Sequence, residues 1–256
     1  MSRRQRRIRE RVRLHAALER GLAADLRKIF KRIGQNAARK VMEGNPHAAA
    51  AVVDQEHAAL LKTLKARMLQ AGIAFGRITL DDLSGKKGAE AAERKLVSLI
   101  EIAERALLRW LAAHAAERVV AILDGIRSSI RRSLVTSVEQ NEAPRQAADR
   151  IIEQTDGEIG KSRAMRIART EIHTASNVGS TESARATGLD LDKEWASTHD
   201  KRTRPAHEEA DGQVVDQNDT FLVGDERLRF PGDPEGSAAN IINCRCVLLW
   251  RPRIPE

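Results

Sequence analysis

Aromatic side chains are nearly missing from this chain: they make up 3% of 256 residues, and tyrosine does not occur. Such a chain is a poor candidate for a mainly β fold, whereas the recurrent Ala, Leu, Arg and Glu are good helix formers. Cysteine is scarce as well. The only two, Cys244 and Cys246, stand one residue apart, a spacing that cannot build the disulfide framework of a small secreted domain and that predicts a reducing compartment. No stretch approaches eighteen apolar residues, so no membrane-spanning helix and no membrane partner are expected. Residues 2–13, SRRQRRIRERVR, lack the apolar core of a secretory signal, and Glu10 and Glu19 fit an Arg-rich transit peptide poorly. The glycines form neither a Walker nor a Rossmann pattern, which removes support for a nucleotide cofactor.

What the chain does have is positive charge, placed unevenly. The formal net charge is +8, yet residues 1–50 hold fourteen Arg or Lys against four Asp or Glu, and the remainder is slightly acidic. Seven arginines crowd the first thirteen positions: Arg3, Arg4, Arg6, Arg7, Arg9, Arg11 and Arg13. An arm of this kind neutralises phosphates without reading bases, so these seven are the candidate nucleic-acid contacts.

Periodicity then divides the chain. Ile8, Val12, Leu14, Leu18, Leu22, Leu26, Ile29 and Ile33 form a helical stripe over residues 4–43, which GNP at 44–46 stops. A second helical block covers 47–71, and the period fades over 74–88. A third block, 89–135, carries Leu96, Ile100, Ala103, Leu107, Trp110 and Leu111, then Ile122, Ile126, Ile130 and Leu134 at four-residue steps, with Gly125 as a candidate bend. Helices over 144–155 and 162–187 follow, the latter capped by Gly188. Beyond it, residues 193–198, 213–217, 219–223, 227–230 and 244–250 read as short strands, with GDE as a hairpin turn. The expected fold class is α+β: a long basic helical region, 1–139, followed by a small α+β module, 140–256, with a short antiparallel sheet.

Two segments of that module concentrate chemistry: HDKRTRPAHEEADG, residues 199–212, and NCRC, residues 243–246. On a strand, Cys244 and Cys246 point to one side, where two thiolates and His207 could hold a soft ion such as zinc. The other reading is a metal-free corner with small buried cysteines and a hydrogen-bonded histidine. In that corner Arg202 and Arg204 offer rigid donor forks to Asp200, Asp211 or Glu171. A Cys–His nucleophile with Asn243 lacks a spacing that demands it. General acid–base work by His199 and His207 with Glu208, as in a small nuclease, is the enzymatic alternative.

An ordered series of motifs also carries a resemblance. RIARTEIHTASNVGS (166–180), WASTHDKRTRPAH (195–207), DGQVV (211–215), Phe221, PGDPEG (231–236) and NCRC resemble, together, the Mu F-like head morphogenesis or minor head proteins of tailed phages. Members of that family show D-x-R-x-C-x-x-C where this chain has Arg204 and His207 in place of the two cysteines. The resemblance thus implies that a four-thiolate set is reduced here to Cys244, Cys246 and His207, and Arg204 has no lone pair to give a metal. It implies further a non-enzymatic role in head assembly and genome packaging or ejection. The implied partners are the portal protein, capsid proteins and genomic double-stranded DNA, with several copies around the portal. The implied location is the virion head, reached by assembly in the host cytoplasm.

Overall fold

The computed structural model describes residues 1–84 and 90–253. Helices come first: α1 (Arg3–Met42), α2 (Pro46–Ala49) with a 3₁₀ run over Ala50–Glu56, α3 (His57–Ser84), α4 (Glu90–Glu139), α5 (Pro144–Thr155) and α6 (Glu158–Ala186). The strands then alternate with short helices: β1 (Leu191–Ala196), α7 (Pro205–Glu209), β2 (Val214–Asp216), β3 (Phe221–Val223), β4 (Glu226–Leu228), α8 (Ala238–Ile241) and β5 (Val247–Pro252). The α+β class and the long N-terminal helices follow the expectation. No helix among the described residues is long and apolar enough to cross a membrane.

Two breaks between helices have local causes. The Asn45 side chain accepts from the Ala48 amide at 3.3 Å, and Pro46 takes the first helical turn, where its missing N–H costs nothing. Gly188, at φ +66°, adopts the left-handed conformation that ends α6. One expectation fails. The period lost over 74–88 does not end α3, which runs to Ser84. Its inward side is partly polar there: buried Thr79 bonds back to the Phe75 carbonyl (2.9 Å) and across to Ser180 (2.7 Å), so the apolar stripe thins to Phe75 and Leu80 although the helix continues. Residues 85–89 at the end of that stretch, and the Leu96 side chain, lie outside the described residues.

The chain forms two compact units. One comprises residues 20–66 and 112–168, and its core holds Leu22, Leu26, Ile33, Leu60, Leu64, Ile122, Ile126, Ile130 and Ile151. Ion pairs Arg32–Glu56 (2.5 Å) and Arg127–Asp54 (2.5 Å) tie its helices together. α4 continues through Gly125 without a break.

The other unit comprises residues 1–19, 67–111 and 169–256. Its sheet has the antiparallel order β2-β1-β5, with Trp195 opposite Leu248 and Ala196 opposite Val247; β3 and β4 form a separate hairpin. Alternation splits the two faces of β1. Ala196, with Val247 and Leu249, packs under Ile8 and Val12 of α1. Trp195, on the opposite face, meets Phe221 edge-on at 5.5 Å. The middle of α6 is buried nearly all round, and its small polar residues find partners. Thr174 donates to the Gly232 carbonyl (2.8 Å), Asn177 to the Pro231 carbonyl (2.7 Å), and the Trp250 indole donates to Ser180 (2.9 Å). The motif RTEIHTASNVGS is thus largely a polar core helix.

Candidate functional site

The NCRC segment sits just before β5 and not within it, because the strand begins at Val247. α6 fixes its start: Arg169 donates to the Asn243 side chain (3.0 Å), and the Asn243 amide donates to Thr170 (3.3 Å). Asn243 itself is left-handed at φ +59°, a conformation asparagine tolerates better than most residues. Alternation still sends both sulfurs inward and Arg245 outward; Cys244 is 1% exposed and Cys246 2%.

His207 arrives from α7, which Pro205 opens, and is 2% exposed. Its Nδ1 lies 3.3 Å from the Cys246 sulfur and 3.7 Å from that of Cys244, and its Nε2 lies 3.3 Å from the Asn240 side-chain oxygen. An N–H at Nε2 donating to Asn240 leaves the Nδ1 lone pair facing both sulfurs. The three donor atoms all fall within 4.8 Å of one another. Ligands around a tetrahedral zinc stand roughly 3.5 Å apart, so this set fits three of four positions. No further His, Cys, Asp or Glu among the described residues joins it. Arg204, at the position of a family cysteine, turns its guanidinium to the Ile242 carbonyl.

The thiols differ from each other. Burial opposes ionisation of Cys244, but the hydrogen bond from Cys246 and the imidazoles of His173 and His207 outweigh it and hold that thiol well below its ordinary range. Cys246, which donates to Cys244 and is itself buried, is pushed well above. Replacing His207 by Ala leaves a cavity beside Trp195 and strips Asn240 and both sulfurs of a partner. Thermal or urea unfolding of the full chain is expected to show a loss of about 2–4 kcal/mol. Zinc analysis of the same samples separates the two uses: about one ion per parent chain and none in Cys246→Ser marks a metal clip.

The charged half of the corner is paired differently from the sequence expectation. Residues 199–204 form a turn, with His199 at φ +49°, so Arg202 and Arg204 do not alternate onto the carboxylates. Asp200 pairs instead with Arg245 (2.6 Å) and accepts the Arg202 amide (2.9 Å). Arg245 and this amide hold the Asp200 carboxyl below the usual range, Arg245 having the larger effect. Asp211 accepts from the Ser197 amide (2.7 Å), Arg4 (2.9 Å) and His199 (2.9 Å). Burial opposes its charge, yet these donors keep its pKa lowered. Glu171 is buried on α6. As for two-histidine catalysis, His207 is closed off from solvent, while His199 is exposed.

The arginine arm divides by helical face. Arg4, Arg7 and Arg11 turn inward: Arg4 pairs with Glu194 and Asp211, and Arg7 and Arg11 share Asp82. Arg3, Arg6, Arg9 and Arg13 face solvent. The sequence missed Asp82 and Asp211 as the acceptors, because their partners lie 75 and 207 residues away.

Residues 126–249 match the family described as Phage Mu protein F like protein. This stretch is a Mu F-like region. It runs from α4 into β5 and contains α6, most of the sheet and the whole Cys–His corner. The chain is 28% identical over 138 residues to the minor head protein GP7 of Bacillus phage SPP1, covering 51% of this chain and 41% of that protein. It is 29% identical over 136 residues to the NAD(+)–arginine ADP-ribosyltransferase EFV of Enterococcus faecalis, covering 52% and 27% respectively. The uncharacterized protein YqbB of Bacillus subtilis is 30% identical over 95 residues, covering 36% and 31%. The chain therefore spans less than half the length of each of these relatives. No solved structure matches it significantly.

Proposed function

We propose that this chain is a minor head protein of a phage particle, joining the procapsid near the portal and meeting the packaged genome. The observation that carries the reading is the extent of the Mu F-like region, which takes in most of the sheet, α6 and the buried corner. The similarity to a protein named for the minor head supports the same role. The transferase-named relative shares only 27% of its length with this chain, so most of that protein lies outside the common part. The common part is then an assembly or delivery module, and this chain acts without turnover. Nucleic-acid contact falls to the outward arginines of α1, since three of the seven are spent on internal carboxylates.

Quantitative mass spectrometry of purified heads tests the assignment. The chain is expected at a few copies per particle, scaling with the portal and not with the major capsid protein. Its absence from heads that contain portal would overturn the reading.

A further inference from the structure

We infer that a basic cleft between the start of α1 and the 198–202 turn is a binding site for a phosphate group. The inference rests on the reading that this surface meets nucleic acid, and it assigns the contact to a defined pocket. The cleft has a volume of about 530 Å³, within the roughly 300–1,000 Å³ range of ligand sites. Ile8, Val12 and Ala16 supply its apolar wall, and five guanidinium groups against two carboxylates supply its polar one.

The carboxylates are already taken. Glu19 pairs with Arg169 at 3.3 Å, and Asp200 with Arg245 at 2.6 Å. Arg9, Arg13 and Arg202 are exposed, and among the described residues none of their guanidinium groups has an acceptor. Three forks without a hydrogen-bonded acceptor around one recess form an anion trap, because each presents planar N–H pairs matched to phosphate oxygens.

A buried histidine backs the cleft. His15 lines the cleft, is 4% exposed, and its Nε2 has no hydrogen-bond partner. The ring is fixed by stacking on Phe75, with centroids 4.1 Å apart. Its Nε2 lies behind the surface, so the ring shapes the wall and the arginine forks carry the contact with the ligand. Burial, with His173 beside it, holds His15 well below its ordinary pKa, so at neutral pH it adds no charge to the wall.

The phosphate belongs either to a nucleic-acid backbone or to a free phosphate compound, and one set of variants separates these sources. Arg13→Ala and Arg202→Ala remove cleft forks; Arg3→Ala and Arg6→Ala remove exposed arginines of α1 that do not line the cleft. None of these four guanidinium groups has an ion-pair partner among the described residues, so thermal melts should match the parent. Binding of a fluorescent oligonucleotide and of inorganic pyrophosphate is then measured on the full chain. Each cleft variant is expected to weaken at least one ligand about tenfold or more, and the outer variants much less. Loss for the oligonucleotide assigns the site to nucleic acid. Loss for pyrophosphate alone, with no oligonucleotide binding by the parent, keeps the cleft and removes the nucleic-acid reading. Oligonucleotide binding that falls equally in cleft and outer variants, with no cleft-dependent pyrophosphate binding, overturns the cleft and leaves a general basic surface.

Discussion

Gly179→Val is expected to unfold the unit built around α6 under conditions where the parent chain is stable. α3 and α6 touch backbone to backbone at Gly72 and Gly179. A Cβ placed on Gly179 would stand 2.1 Å from the Gly72 carbonyl oxygen and 2.4 Å from its Cα. Backbone atoms inside two long helices cannot swing aside as a side-chain tip can, so the helices must separate. Separation would break the nearby Thr79–Ser180 bond and strain the Trp250–Ser180 bond, leaving polar atoms unpaired in the interior. Overfilling a core with side-chain atoms costs about 1–3 kcal/mol, and a clash with main chain plus lost buried bonds should exceed it, at about 4 kcal/mol or more. Against a total stability of about 5–15 kcal/mol, that is a large part of the whole. Gly125→Ala is the control: an added Cβ there meets nothing within 4 Å, and removing a mid-helix glycine should stabilise by up to about 1 kcal/mol. Urea unfolding checks both, and a Gly179→Val midpoint close to that of the parent would refute the helix contact.

Local signals carried much of this architecture. α5 begins and ends at the expected residues, and β1 to β5 each overlap an expected strand, because turns, caps and alternation are written within a few positions. α6 was harder to bound, since buried small polar residues supply no apolar period. The motifs were legible as text before their purpose was. PGDPEG proves to be a turn organised by buried Asp233, which accepts from Arg229 (2.6 Å) and from the Glu235 amide (3.2 Å). Its Gly232, at φ +76°, lies where a Cβ would stand 2.7 Å from the His173 ring. The Cys–His grouping could be anticipated because C-x-C sends two sulfurs one way. Asn240, which orients His207, gave no signal, since nothing in spacing tells a second-layer amide from a surface one. The choice of Arg245 over Arg202 for Asp200 was equally hidden. It depends on a left-handed residue at 199, and charge alone makes every nearby arginine an equal candidate. His15 had no local mark either. It reads as one more polar position in an Arg-rich helix until α3 brings Phe75 against it.

Asp82→Asn should produce the other large effect, and it acts through the arm that the sequence offered to DNA. Asp82 accepts from Arg7 Nε at 2.9 Å and from Arg11 Nη2 at 2.6 Å. Arg7 also donates to the Trp250 carbonyl at 3.0 Å, which ties the start of α1 to β5. The Arg11 side chain is only 1% exposed. Burial pulls its pKa down and the Asp82 carboxylate works against that pull, so this one acid carries most of the cost of a buried cation. Neutralising the acid leaves Arg11 without its hydrogen-bonded counterion and next to the positive Arg7. Removing one partner of such a pair costs about 3–5 kcal/mol, against about 0–1 kcal/mol for a surface ion pair. Arg11→Met should cost less, because Arg7 still answers Asp82 and the methionine fills the space. The double variant Arg11→Met/Asp82→Asn should recover a good part of the loss, since no buried charge is then left over. A double-mutant cycle from urea unfolding gives the coupling directly. A cost below about 1 kcal/mol for Asp82→Asn would place this cluster among surface ion pairs and return Arg7 and Arg11 to the arginines free to meet phosphate.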